Sequence, residues 1–298
     1  MTLNKQFPNP EEWIVVLGSG ASINNLPEDI KKWANKTRAR IAINKYGTFY
    51  EKAGIIPTDI YFHDFHDKTS EHFFYETINR TKSVATTYYV SPISKEFITK
   101  SFFSFSYLFF RYLIILNRAF FKKISRKIIK PFSKNKHDRI SSYLDKFNQR
   151  RPLLLNKRHE IYYINVHYLW DLDNVWANTL NEELFHFRGS LTSVMNLVSI
   201  KYPKFKVLML GVDLATKEYF FDEEIKYLHK KTGLGYDWTQ PFMNTSGKHY
   251  SAAIDSGVTI FDRFNYVVEC LEKSQNKIFA YPKKNAIMFN GLVDSFIL

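Results

Sequence analysis

The sequence predicts an α/β protein: a parallel sheet with helices on both faces, a lid segment over 216–248 and a basic helical insert over 95–158. Two observations carry that expectation. Short apolar runs alternate with helical patterns along most of the chain, the order in which strands and covering helices build a parallel sheet. The first run, Trp13-Ile14-Val15-Val16-Leu17, ends in Gly18-Ser19-Gly20, the way many nucleotide-binding sheets begin.

In chain order the strand candidates are 13–17, 41–44, 59–63, 83–89, 160–165, 207–210 and 277–281. Helical patterns over 27–37, 70–79, 190–202 and 259–273 separate several of them. With 45% hydrophobic residues, the 298-residue chain has enough apolar side chain for a large core, and we read 1–298 as one Rossmann-like domain. The single Cys270 excludes an internal disulfide and a Cys-based zinc site, and fits a reducing compartment. No basic stretch followed by an apolar one opens the chain, so the expectation is a cytoplasmic protein without a secretory signal.

Charge is unevenly placed. Residues 111–158 hold 15 Lys and Arg against Asp138 and Asp145, a local +13 that equals the net charge of the whole chain. The remainder balances at 27 basic and 27 acidic residues. The aromatic run before this segment is interrupted by Arg111 and Arg118, short of the roughly 20 apolar residues a membrane span needs. The preferred expectation is an anionic membrane surface bound through 101–158. A solvated arm or a homo-oligomer contact is the alternative. Nucleic acid is not expected, because no nucleic-acid module is recognisable elsewhere.

Ligands of parallel α/β sheets bind beyond the carboxyl ends of the strands, which singles out 18–22, 44–46, 63–67 and 211–215. Gly18 and Gly20 suit a turn where backbone must approach a ligand, or a merely structural turn. Ser19 and Ser22 offer hydroxyls and free N–H groups at a helix start, a seat for phosphate or ribose. His63-Asp64-Phe65-His66-Asp67 holds four potential metal ligands, but alternation points His63 and Asp64 to opposite faces, so polar ligand contacts are the stronger reading. Asp171-Leu172-Asp173 matches a three-letter metal motif that is common by chance. Arg188, Ser190 and Thr192 precede a helix and serve either as an N-cap or as a clamp for carboxylate or phosphate. Gly211-Val212-Asp213 ends a strand, with Asp213 free to bond ribose, cap a loop or orient a neighbour. His249, beside Tyr250, is a general-base candidate because an ordinary histidine titrates near neutrality.

Taken in order, Gly18-Ser19-Gly20-Ala21-Ser22, Asn44-Lys45-Tyr46, Asp59 to His63, Arg188 with its hydroxyl-rich helix, Gly211-Val212-Asp213, Tyr219-Phe220-Phe221-Asp222 and His249-Tyr250 resemble the bacterial sialyltransferases of glycosyltransferase family 42. The resemblance covers about 18–90 and 185–285. It implies a Rossmann-like domain with a mobile lid that uses CMP-sialic acid without a metal or cofactor and inverts the anomeric centre. The acceptor implied is a glycan, lipid-linked or at the surface, of the lipooligosaccharide or capsule type, which implies a protein peripheral on the inner face of the bacterial inner membrane. By the same resemblance Asn44 contacts the donor, with His63 near a second donor-contacting position. Arg188 and Ser190 reach the sugar carboxylate, and Tyr219 bonds the phosphate of departing CMP. Leu191 stands where the family has a serine, Ala215 where it has a second lid tyrosine, and Ala253 where it has the basic histidine. His249, His66 or Asp64 are the substitutes. The rival classes are a metal-dependent UDP- or GDP-sugar transferase acting through Asp171 and Asp173, and a degenerate nucleotide-binding subunit that docks a partner at the membrane.

Overall fold

The computed structural model describes residues 7–64, 68–96, 98–99, 153–155, 158–168, 174–232, 248–254 and 257–297. Its centre is an eight-stranded sheet: β1 (Trp13–Leu17), β2 (Ala39–Ile43), β3 (Asp59–Phe62), β4 (Thr87–Val90), β7 (Glu160–Tyr163), β10 (Lys206–Leu210), β11 (Lys277–Tyr281) and β12 (Asp294–Ser295). The spatial order is β12-β11-β10-β1-β2-β3-β4-β7, and every pairing is parallel. Two short parallel pairs stand apart: β5 (Ile98–Thr99) with β6 (Leu153–Leu154), and β8 (Val166–Tyr168) with β9 (Leu184–His186). The architecture is the α/β, Rossmann-like one expected from the sequence.

Strand β1 shows why. All five of its side chains are buried, and they alternate between two cores: Ile14 and Val16 enter one, Trp13, Val15 and Leu17 the other. A strand covered on both faces reads as a continuous apolar run, and each aliphatic side chain so buried contributes about 1.5–3 kcal/mol. One core packs α4 (Ser190–Lys201) and α6 (Phe264–Lys273) through Val194, Leu197, Phe264 and Val267. The opposite core takes α1 (Glu28–Ala34), α2 (Tyr50–Ala53), α3 (Lys68–Thr81) and α5 (Asp222–Thr232). A last short helix, α7 (Lys283–Ile287), follows β11.

Three boundaries differ from expectation. The strand expected over 83–89 begins only at Thr87, because 82–84 form the turn that ends α3, where Val84 and Ala85 N–H bond the Thr81 carbonyl. The run 160–165 breaks after Tyr163, and β8 then pairs with β9 outside the main sheet. The helix expected over 259–273 opens as a 3-10 turn, Ile260–Arg263, with a Thr259–Asp262 capping box before α6.

Most of the basic insert, 97 and 100–152, lies outside the described residues, as do Asp171, Asp173, His66 and 233–247 of the lid segment. Among the described residues no helix is long and apolar enough to cross a membrane.

Candidate functional site

The order of strands reverses between β1 and β10, where a doubly wound sheet ordinarily opens a crevice. Here the two loops are laced together. Gly18 N–H donates to the Leu210 carbonyl at 2.8 Å, and Gly20 N–H to the Gly211 carbonyl at 2.7 Å. A Cβ on Gly18 would collide with the Gly211 carbonyl, and one on Gly20 would sit 2.5–2.6 Å from the Asp213 carboxyl group. Gly211 itself holds φ at 67°, a left-handed conformation that favours glycine. The glycines are thus required by neighbouring backbone and by Asp213, so the turn has a structural role.

Asp213 closes the lace. Its Oδ2 accepts from Ser22 N–H at 2.5 Å, and its Oδ1 accepts from Ser22 Oγ and Asn285 Nδ2, both at 2.6 Å. Both oxygens accept from protein donors, so Asp213 caps the loop, one of the roles open to it from the sequence. The helix start expected at Ser19 to Ser22 is a five-residue 3-10 turn, Ala21–Asn25, and Ser22 is buried under Asp213. Ser19 is half-buried, and its carbonyl accepts from Phe220 N–H at 3.1 Å. Tyr219 forms an isolated antiparallel bridge with Gly20, and its ring stacks on Phe221 at 5.3 Å and meets His249 edge-on at 6.2 Å.

His249 N-caps the 3-10 turn Tyr250–Ala252, its Nδ1 accepting from Ser251 N–H at 3.2 Å. Burial lowers its pKa to about 4, partly offset by the charge of Asp213. A neutral imidazole whose Nδ1 accepts a bond carries its proton on Nε2. As folded, His249 is therefore a hydrogen-bond donor at Nε2, where the sequence reading had it taking a proton.

The neighbouring half of the edge is differently built. Asn44, the residue after β2, holds φ at 47°, a left-handed conformation that Asn tolerates better than most side chains. Its Oδ1 accepts from His63 N–H at 3.1 Å and its Nδ2 donates to Ser190 Oγ at 3.0 Å, joining the ends of β2 and β3 to the start of α4. The expected N-cap role for Ser190 or Thr192 is not what forms. Gly189 is the N-cap, with no side-chain cap bond, and the first turn of α4 carries no acidic residue. Thr192 Oγ1 instead accepts from Phe187 N–H at 2.9 Å, and Asn196 Oδ1 accepts from Phe185 N–H at 2.9 Å, strapping β9 onto α4.

That strap fixes Arg188. Its guanidinium donates to the carbonyls of Tyr250 at 3.0 Å and Ala253 at 2.8 Å and lies 4.8 Å over the Tyr250 ring. Gly189, with φ at 144°, lets α4 approach Ser251, whose Oγ would lie 2.5 Å from an added Cβ. Asn44, His63, Arg188 and Ser190 are all half-buried, with part of each surface open to solvent.

Alternation separates His63 from Asp64 as expected. Asp64 pairs with Lys45 and accepts from Ser70 Oγ, on the α3 side. His63 turns to the α4 side and meets two residues the sequence reading missed, Tyr168 and His186. The Tyr168 hydroxyl lies 3.4 Å from His63 Nδ1, the Tyr168 and His186 rings are 4.7 Å apart, and His186 Nδ1 lies 2.8 Å from Ser193 Oγ. Phe185-His186-Phe187-Arg188, immediately before the hydroxyl-rich helix, was the signal that could have exposed His186. Among the described residues no group of three or more His, Cys, Asp or Glu is placed to hold a metal ion.

The predicted site residues therefore gather at one sheet edge in two joined groups: Gly18, Ser19, Gly20, Ser22, Gly211, Asp213, Tyr219 and His249 in the laced half, Asn44, His63, Arg188 and Ser190 in the open half. Tyr250 lies between them, under Arg188. Compared with known proteins, the chain matches no family model, no curated protein and no solved structure.

Proposed function

We propose that this protein is an inverting, metal-independent glycosyltransferase that moves sialic acid or a related nonulosonate from a CMP donor to a lipid-linked or surface glycan. The observation that carries the reading is the start of α4. It is a helix N-terminus with no side-chain cap and no acid in its first turn, flanked by Arg188 and by a Ser190 hydroxyl bonded to Asn44. Helix N–H groups, a guanidinium and hydroxyls attract anions without a metal. Such a donor presents two: the sugar carboxylate and the phosphate that gains charge as CMP leaves.

In this reading Arg188 and Ser190 meet the carboxylate while Asn44 holds the donor against the sheet edge. Tyr219 and the Nε2–H of His249, set 6.2 Å apart ring to ring, stabilise the leaving phosphate by donating hydrogen bonds where charge develops. The segment that follows Tyr219 limits water, which would otherwise hydrolyse the donor. The basic residues of 101–158 hold the enzyme near an anionic membrane carrying the acceptor.

The test is release of CMP from CMP-N-acetylneuraminic acid in the presence of EDTA. Turnover in EDTA supports the reading. Loss of activity in EDTA with return on manganese favours the metal-dependent UDP- or GDP-sugar class. CMP binding with no turnover favours the degenerate nucleotide-binding subunit, for which Ala253 is the specific observation: it offers only a methyl group, and its carbonyl is bonded by Arg188.

A further inference from the structure

The transfer proposed above leaves a vacancy in its chemistry, and the inference here rests on that reading. An acceptor hydroxyl must lose a proton, yet Ala253 has no basic group and His249 uses Nδ1 to cap Ser251. Across the open half of the edge stands a second imidazole, His63. His63 follows β3 directly, and its own backbone N–H is bonded by Asn44, the side chain that also holds Ser190. Its Nδ1 faces the Tyr168 hydroxyl at 3.4 Å, and Tyr168 is 45% exposed. The Tyr168 ring is flanked by His186 at 4.7 Å, and His186 is tied to α4 through Ser193 at 2.8 Å. The rings of His63, Tyr168 and His186 form a triangle with sides of 6.2, 4.7 and 6.4 Å, built on the ends of β3, β8 and β9.

We propose that His63 is the general base of the transfer, oriented by the Tyr168 hydroxyl and by His186 behind it. With Nδ1–H donated to Tyr168, Nε2 carries the lone pair that takes the proton. The acceptor oxygen gives that proton to Nε2 as it bonds to the anomeric carbon. The bond from that carbon to the phosphate oxygen breaks, its electron pair leaving with CMP, and the imidazolium then returns the proton to water. Tyr168 and His186 are positioning residues: they fix the ring, as a third group orients the base in hydrolytic triads.

The experiment measures CMP release from CMP-N-acetylneuraminic acid by wild type, His63→Ala, Tyr168→Phe and His249→Gln, with and without added imidazole, alongside the melting-temperature rise that CMP induces. Expected are a fall in kcat of about 100-fold or more for His63→Ala, partial recovery with imidazole, and a CMP-induced shift like that of wild type. Tyr168→Phe keeps the ring and is expected to lose about tenfold in kcat with KM little changed. His63→Ala at wild-type turnover overturns the proposal, and so does loss of CMP binding equal to the loss of rate, which makes His63 a donor contact only. An unfolded His63→Ala passes the decision to Tyr168→Phe, where unchanged kcat overturns it. Wild type that neither binds CMP nor releases it defeats the transfer reading itself, and the base with it.

Discussion

The two halves of the sheet's carboxyl edge use the same kinds of residue to opposite ends. In the laced half, backbone amides and a carboxylate satisfy one another: Gly18 on Leu210, Gly20 on Gly211, Ser22 and Asn285 on Asp213. In the open half a helix begins with uncapped N–H groups, and the polar side chains around it stay half-exposed. Satisfied polar groups hold a fold together, whereas groups left facing solvent at a strand end are the ones that can change partners. The glycine turn, the most conspicuous stretch of the sequence, is the lock. The proposed carboxylate clamp lies beside it.

Substitutions sharpen that contrast, and the largest effects belong to the lock. Gly18→Ala puts a methyl group into the Gly211 carbonyl, backbone that cannot swing away. A loss of about 3 kcal/mol is expected by urea unfolding, since overpacking a close contact costs that order. Asp213→Ala leaves Ser22 N–H and the Asn285 amide without their acceptor in a buried site. The expected cost is about 2–3 kcal/mol. A cost below about 0.5 kcal/mol for either would dissolve the distinction between the halves.

His249 gives a smaller effect confined to acid. Its folded pKa of about 4 lies below the ordinary histidine value of 6.5, so between those values the unfolded chain binds the extra proton and the native one does not. Stability contributed by neutral His249 is therefore complete above about pH 6.5 and is lost as pH falls toward 4. At pH 5 the difference is about 2 kcal/mol. His249→Gln should flatten that part of the stability–pH curve, and an unchanged curve would mean the imidazole is not buried as described. Ser190→Ala is expected to be the mildest for the fold, within about 1 kcal/mol, because only the half-exposed bond to Asn44 is lost. A larger loss would put Ser190 among the locking residues.

The sheet was legible because its central strands are covered on both faces. Trp13–Leu17 and Lys277–Tyr281 were bounded from sequence to the residue, and Val207 to Leu210 to within one. β8 and β9 escaped because three-residue strands are too short to show a period. Within the site, Asn44, Arg188 and Ser190 were recognisable as strand-end and helix-start polar residues. That Asn44 bonds Ser190, 146 positions away, was not, because strand order is not written in local pattern. Which of its three possible roles Asp213 fills was not legible for a related reason. Its partners, Ser22 and Asn285, come from the loop after β1 and from α7, and only the assembled sheet brings the three together.

The proposal that matters most is that Arg188, in the open half, holds the sugar carboxylate of the donor, while the Gly18–Asp213 lace serves the fold. The direct measurement is titration of CMP-N-acetylneuraminic acid in EDTA into wild type, Arg188→Ala and Asn285→Ala, the last a change that weakens the lock without touching the helix start. The account predicts that wild type and Asn285→Ala bind the donor alike while Arg188→Ala binds it at least about tenfold more weakly, a difference of about 1.4 kcal/mol. Undiminished binding by Arg188→Ala, or no donor binding by wild type, would contradict it.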